Sequence, residues 1–161
     1  MPLCVHGHFY QPPREDPISN NIPDERGAEP FHNWNEKILA ECYEPNARMG
    51  NFGKISFNIG PTLFDWMWNY APDVAERIVE LERANFLKFG VGNGLAQGYN
   101  HSILPLLPYR DKVTNVRWGV EDFVYRFGHQ PQGIWLPETA ADIETLCVLQ
   151  DYGLEFTILA P

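Results

Sequence analysis

Hydrophobic positions along the chain switch repeatedly between strand-like and helix-like spacing. A short apolar run at residues 3–5 precedes polar residues, and residues 54–60 alternate between polar and apolar side chains, so both segments predict strands. Further strands are expected at residues 134–136 and 156–160. A glycine-dense turn at residues 90–99 is expected to feed another short strand. The pattern therefore predicts about five strands.

Between these strands, apolar residues recur every three or four positions, which is typical of amphipathic helices. Helices are predicted for residues 31–42, 61–68, 72–82, 109–127 and 143–150. The first is expected to end before Pro45, the second and third form two short helices or one bent one, and the last two are each closed by a glycine. The predicted order is β, α, β, α, α, β, α, β, α, β.

Strands that alternate with helices imply parallel pairing and right-handed crossovers, so the predicted class is α/β. Five strands are consistent with an open doubly wound sheet or with part of a barrel. Because the chain stops at the carboxyl end of its last strand, we expect residues 1–161 to be one truncated catalytic domain. An unpaired edge at residues 156–160 would then favour self-association.

Composition and net charge argue against several classes of function. With 161 residues, of which 44% are hydrophobic and 14% aromatic, the chain can bury one core, so one domain is expected. A net charge of −9 without an acidic run argues against nucleic-acid and anionic-membrane partners, which attract basic proteins. No segment has the length and hydropathy of a signal peptide or a membrane span, which favours a cytoplasmic location.

The three cysteines, Cys4, Cys42 and Cys147, are too far apart for a disulfide framework or a zinc-ligand spacing, so we expect reduced and mostly buried thiols. A phosphate-binding loop at residues 90–99 is excluded, because the residues that follow it do not open a helix. No cofactor and no metal are expected from these patterns.

The segment at residues 133–140 carries the clearest candidate chemistry, because a short apolar run leads directly to Glu138. Ligands collect at the carboxyl ends of parallel strands, so an acid at that place indicates catalysis. The alternative is that Glu138 starts a helix, since an early proline and nearby acids are typical of a first helical turn. Trp135 is either a core aromatic or an aromatic side chain that contacts a ligand.

Three segments in this order resemble glycoside hydrolase family 57, a group of α-glucan-acting amylases, glucanotransferases and branching enzymes. They are HGHFYQPPRE at residues 6–15, YNHSILPLL at residues 99–107 and GIWLPE at residues 133–138. Residues 40–46, 56–63 and 156–161 are also similar to a large-protein branch of that family. The resemblance spans essentially the whole chain.

The resemblance implies an incomplete barrel of seven β/α units and a retaining double displacement. It implies that Glu138 is the nucleophile and that His6, His8, His101 and Trp135 line the sugar site. The acid/base would be an aspartate on a later strand beyond the chain end, so the fragment alone is expected to be inactive. The implied partner is an α-glucan or a maltooligosaccharide. Asp142 and Asp151 are expected to cap helices or face solvent.

Two other classes of function are also consistent with the sequence. One is a carbohydrate-binding module that keeps the sugar-facing wall without turnover. The other is a metal-dependent deacetylase-like barrel, because His6 and His8 share a strand face and form a usable metal pair. Tyr10 and Gln11 occupy the stretch where such barrels carry acids, which argues against it. The other four tryptophans are expected to pack in the core: Trp34, Trp66, Trp68 and Trp118.

Overall fold

The computed structural model describes residues 3–160 as an α/β fold with five parallel strands. The strands are β1 (His6–Phe9), β2 (Ser56–Ile59), β3 (Ala96–Gln97), β4 (Gly133–Trp135) and β5 (Phe156–Thr157). Strand β1 pairs with β2, and β4 lies between β3 and β5. The two sheets meet where Phe57 of β2 bridges Gly94, two residues before β3.

The strands therefore lie side by side in chain order, from β1 to β5. A doubly wound sheet reverses its strand order at a switch point, whereas a barrel adds each strand on the same side of the last. The order excludes the doubly wound alternative and confirms the prediction of a partial (β/α) barrel.

The helices cover the outside of this curved sheet. They are α1 (Trp34–Ile38), α2 (Glu44–Arg48), α3 (Pro61–Tyr70), α4 (Pro72–Phe89), α5 (Tyr109–Phe127) and α6 (Ile143–Asp151). Prolines start α3 and α4 as predicted, so these are two helices. Gly128 ends α5 with φ at 77°, a left-handed conformation that glycine adopts without a steric penalty.

The first helix was predicted to stop before Pro45, and this is wrong. A π-helical turn at Leu39–Tyr43 joins α1 to α2, and the amide of Glu44 donates to the carbonyl of Leu39, five residues back. The wider turn continues the helix past Pro45, which has no amide hydrogen and would clash in a regular α-helix interior.

The first strand begins at His6 rather than at residues 3–5. Its four residues pair in register with β2, from His6 opposite Ser56 to Phe9 opposite Ile59. The last strand is shorter than predicted and covers Phe156–Thr157. Between residues 3 and 160, β5 pairs with β4 alone, which leaves its other edge open. Self-association through that edge stays a prediction.

The hydrophobic core lies between the outer face of the strands and the helices. Phe57 of β2 is fully buried and packs edge-on against Phe52, with ring centroids 5.1 Å apart. Helix α5 approaches β3 closely because Gly119 faces it: a Cβ at that position would lie 1.9 Å from the carbonyl oxygen of Gln97. The core therefore fixes the strands from outside and leaves their inner face for polar residues.

Two packing predictions are wrong. Trp118 is 48% exposed on the outer face of α5, whereas Trp66 is buried as expected. Cys4 and Cys147 are exposed, and Cys42 packs against the core but is only partly buried. In the described part of the chain, no helix combines the length and the hydropathy that crossing a membrane requires.

Candidate active site

A layer of polar side chains lines the inner face of the first four strands. His6 and His8 come from β1, Asn58 from β2, Gln97 from β3 and Trp135 from β4. Side chains alternate along a strand, so residues two apart share the inner face, and the register sets His8 opposite Asn58 and Gln97 opposite Trp135. The barrel thus gathers distant residues into one wall.

Asn58 is the centre of this layer. Its Oδ1 lies 3.1 Å from Nε2 of His6, and its Nδ2 lies 3.0 Å from Nδ1 of His8. The same Nδ2 also donates to Oε1 of Gln97. Asn58 is fully buried, so these bonds satisfy a side chain that could not otherwise be buried without a penalty.

One arrangement of hydrogens satisfies all of these bonds. Ser56 Oγ donates to Nδ1 of His6 at 2.9 Å, and Nε2–H of His6 donates to Asn58. Nδ1 of His8 accepts from Asn58, which leaves Nε2–H of His8 free to donate away from the strand. Both histidines are then neutral, with the proton on Nε2.

Aromatic rings stack across the mouth of the barrel. Trp135 lies nearly parallel to His8 and to His6, with centroids 4.7 and 5.2 Å apart. Tyr10 stacks on His101 at 4.0 Å, and Nε2 of His101 lies 3.4 Å from Nε2 of His8. The rings form a continuous wall that offers flat apolar faces together with nitrogen donors.

Burial lowers the pKa values of the two histidines on β1. Desolvation lowers the pKa of His6 below its ordinary value, although the hydrogen bond to Asn58 opposes the shift. Desolvation also lowers the pKa of His8, helped by the neighbouring His101 and His6 and opposed by Asn58 and by the charge of Glu138. At neutral pH both are therefore uncharged hydrogen-bonding groups.

Glu138 lies three residues after β4 on an exposed turn at the carboxyl end of the strand. Its φ and ψ are 57° and 16°, and Thr139 follows with φ at 52°. Two consecutive residues other than glycine in the left-handed region, one of them β-branched, are strained by about 1–3 kcal/mol each. Such strain clusters at functional sites. Glu138 does not start an α-helix, because its turn ends at Thr139 and α6 begins at Ile143.

The structure brings His6, His8, His101 and Trp135 into one wall and places Glu138 close enough for its charge to act on His8. Sequence reasoning missed Asn58, Gln97 and Tyr10. The alternation in residues 54–60 did place Asn58 on the polar face, but that face was not recognised as the barrel interior.

Two polar atoms of this wall have no hydrogen-bond partner within residues 3–160. They are Nε1 of Trp135 and Nε2 of Gln97, and both are buried. Buried donors are normally satisfied, so unsatisfied ones beside a candidate site indicate where a ligand or water binds. In the same part of the chain, no three His, Cys, Asp or Glu side chains are arranged to hold a metal ion.

Asp142, near Glu138 in sequence, has a structural role as predicted. It caps the start of α6 by accepting from the amide of Thr145 at 2.7 Å. The ammonium of Lys112, whose side chain is 1% exposed, lies 3.3 Å from Asp142 and 2.7 Å from Glu144. Both carboxylates are therefore engaged at the start of α6.

Residues 10–160 match the family model described as glycosyl hydrolase family 57. The chain belongs to glycosyl hydrolase family 57. This confirms the resemblance drawn from the three motifs.

Family 57 relatives share low identity with the chain. Alpha-amylase 1 of Dictyoglomus thermophilum is 24% identical over 106 residues, which cover 65% of this chain and 15% of the amylase. The 4-alpha-glucanotransferase of Thermococcus litoralis is 21% identical over 106 residues, which cover 66% of this chain and 15% of that enzyme. The chain thus spans a small part of the curated relatives it matches.

Solved structures agree on the fold. An exo-type maltose-forming amylase from Pyrococcus sp. ST04 superposes with a TM-score of 0.73 at 17% identity, covering 97% of this chain and 29% of the amylase. At this identity the likeness establishes the fold alone, and it confirms the predicted partial (β/α) barrel.

Proposed function

We propose that residues 1–161 form the N-terminal part of the catalytic barrel of a retaining glycoside hydrolase or glucanotransferase that acts on α-glucans, with Glu138 as the nucleophile. The observation that carries this proposal is the position of Glu138: it follows β4 on a left-handed turn beside the wall of His8 and Trp135. Barrel enzymes gather their reacting groups at this end of the strands.

The first chemical step forms a bond between a carboxylate oxygen of Glu138 and the anomeric carbon of the glucan. The bond from that carbon to the glycosidic oxygen breaks, and the leaving oxygen takes a proton from a general acid. In the second step, water or a sugar hydroxyl attacks the anomeric carbon and gives its proton to the conjugate base. Glu138 is released as a carboxylate.

The neighbouring side chains bind the sugar in this proposal. Trp135 stacks against the apolar face of a glucose ring at the mouth of the barrel. The neutral His8 donates from Nε2, and His6 holds Asn58 in place. Neutral imidazoles suit this task because a cation near the anomeric carbon would oppose the positive charge that develops there.

The general acid is proposed to come from a part of the barrel outside these residues. A retaining mechanism needs a second carboxyl group roughly 5–5.5 Å from the nucleophile. The next two acids after Glu138 in sequence, Asp142 and Glu144, are engaged with Lys112 at the start of α6. Whether water or a sugar accepts the glucosyl group depends on subsites that an amylase and a glucanotransferase arrange differently.

Fluoride release from α-maltosyl fluoride tests the proposal, because fluoride leaves without protonation and the first step then depends on the nucleophile alone. We expect the wild-type protein to release fluoride, and we expect Glu138→Gln to release it at least about a thousand-fold more slowly. Glu76→Gln is the matched control, because this glutamate is exposed on α4, and it should behave like the wild type. Binding of maltooligosaccharides without any fluoride release would support the binding-module alternative instead.

A further inference from the structure

The outer face of α5 carries two exposed aromatic side chains that the barrel does not use. Trp118 is 48% exposed and Tyr125 is 85% exposed. The indole and the phenol belong to one surface, because both line the same groove. Exposed aromatic clusters on a soluble domain mark binding surfaces more often than single exposed residues do.

Trp118 separates two grooves. One has a volume of about 410 Å³ and is lined by Tyr99, Trp118, Glu121, Asp122 and Tyr125. The other has a volume of about 270 Å³, and its polar lining includes Asn100, Ser102, Asp111 and Thr114 next to Trp118. The indole ring is thus the shared wall of two neighbouring depressions, each with hydroxyl, amide or carboxylate groups along its rim.

Contacts with neighbouring side chains fix Trp118 and Asp122 in the first groove. Tyr99 stands edge-on to Trp118, with centroids 5.7 Å apart and planes at 82°. The two carboxylate oxygens of Asp122 share the Nε–H of Arg126, at 3.0 and 2.9 Å, and Nη2 of Arg126 donates to Asp65 at 2.7 Å. The aromatic platform and the acceptor are therefore held in place by neighbouring side chains, which lowers the entropy lost on binding.

The surface is also connected to the candidate active site. The segment at residues 99–102 forms one wall of both grooves, and His101 within it stacks on Tyr10 in the site. Hydrogen bonds in both directions between Asn100 and Asn115 of α5 fix this segment. Residues 99–102 therefore link the two grooves to the candidate active site.

We propose that Trp118 and Tyr125 form a second binding site for an α-glucan chain, outside the barrel; this rests on the proposed function. Glucose rings stack their C–H faces on indole and phenol rings, and their hydroxyls donate to fixed carboxylates such as Asp122. A chain held there would deliver its neighbouring glucose units to the catalytic site.

The charge of the surface favours a neutral polyhydroxyl ligand. Glu121, Asp122 and Asp111 line the grooves, and the protein carries a net charge of −9. Nucleic acids and anionic membranes would be repelled by this face, whereas uncharged sugars are not.

Affinity electrophoresis in native gels that contain amylose tests this site. We expect Trp118→Ala and Tyr125→Ala each to raise the dissociation constant for amylose about ten-fold. Tyr125→Ala is the variant that should fold normally, because the side chain of Tyr125 is 85% exposed. Phe89→Ala removes an aromatic that is 61% exposed and lines neither groove, so it should not change retardation. Fluoride release from the short donor α-maltosyl fluoride should be unchanged in all three variants.

Unchanged retardation of both variants overturns the second site, and so does a wild-type protein that amylose does not retard. If retardation depends on Trp118 but the wild type releases no fluoride, the second site stands and the catalytic proposal fails. If Trp118→Ala converts a dimer to a monomer without altering retardation, the surface binds a second copy of the chain and the glucan proposal is overturned.

Discussion

Asn58 of β2 lies directly opposite His8 of β1 and donates a hydrogen bond to its Nδ1 at 3.0 Å. The same amide group donates to Gln97 on β3. One side chain therefore sets the tautomer of a histidine on one neighbouring strand and the orientation of a glutamine on the other. The candidate site depends on this buried amide as much as on the residues that face the ligand.

Replacing Asn58 by aspartate should raise the pKa of His8 and of His6. The carboxylate cannot donate to His8 or Gln97, and its negative charge favours the imidazolium forms, by about one pKa unit or more. A histidine titration followed by NMR checks this. Asn51→Asp is the control, because Asn51 bonds to Asn46 outside the barrel wall. Histidine pKa values that do not respond to Asn58→Asp would contradict the network.

The thermal stability of the protein should fall as the pH drops from about 7 toward 5. Desolvation lowers the pKa of His6 and of His8 in the folded state, so the unfolded chain binds more protons once the pH falls below the ordinary value of about 6.5. Stability is then lost between that value and the lower folded pKa. Melting temperatures across this range provide the measurement.

The matched control for the pH effect is the double variant His6→Gln with His8→Gln. Between pH 7 and 5 its melting temperature should fall less than that of the wild type. His32 acts in the opposite direction, since a hydrogen bond to Asp24 and the charge of Glu36 raise its pKa. Its contribution is the same in both proteins and cancels in the comparison. If the melting temperature depends on pH equally in the two proteins, the strand histidines do not cause the loss of stability at low pH.

Trp135→Ala should weaken the binding of maltooligosaccharides about ten-fold, which corresponds to about 1.4 kcal/mol. The change removes the ring that is proposed to stack on glucose, together with its contacts to His6 and His8. Trp135→Phe keeps an aromatic face and should lose less affinity. Isothermal titration calorimetry measures both. Wild-type affinity in a folded Trp135→Ala protein would identify Trp135 as a packing residue.

Gly119→Ala should destabilise the protein by about 1–3 kcal/mol, because the added methyl group forces α5 away from β3. Its Cβ would lie 1.9 Å from the carbonyl oxygen of Gln97, a backbone atom that cannot rotate away. At Gly53 the nearest atom is 3.4 Å away on the flexible side chain of Leu81, so Gly53→Ala is the control. Urea unfolding of both variants gives the difference, and equal stabilities would refute the close approach.

Periodicity predicted most helices because each buries one stripe of apolar residues. The prediction for α5 matches its bounds, since core residues such as Val116, Val120 and Phe123 recur at helical spacing. Trp118 was misplaced for a geometric reason: two positions after Val116 is about 200° around the helix, on the opposite face.

The inner wall of the barrel was harder to predict. Strand β1 carries two histidines where a buried strand would be apolar, so its polar residues resembled a loop. Gln97 follows a glycine-dense segment whose role depends on the approach of α5, a tertiary contact that no local pattern contains. Glu138 is a candidate because an apolar strand leads directly to it, but its left-handed backbone has no signal in the local sequence.

The most direct test of Glu138 as the nucleophile is intact-protein mass spectrometry after incubation with a fluorinated α-glucosyl fluoride, which slows breakdown of the glycosyl-enzyme. We predict a single fluoroglucosyl adduct, formed with loss of the anomeric fluoride, that a peptide map places on Glu138 and that is absent from Glu138→Gln. An adduct on another carboxylate, or an unmodified protein that still binds maltooligosaccharides, would contradict the assignment of Glu138 as the nucleophile.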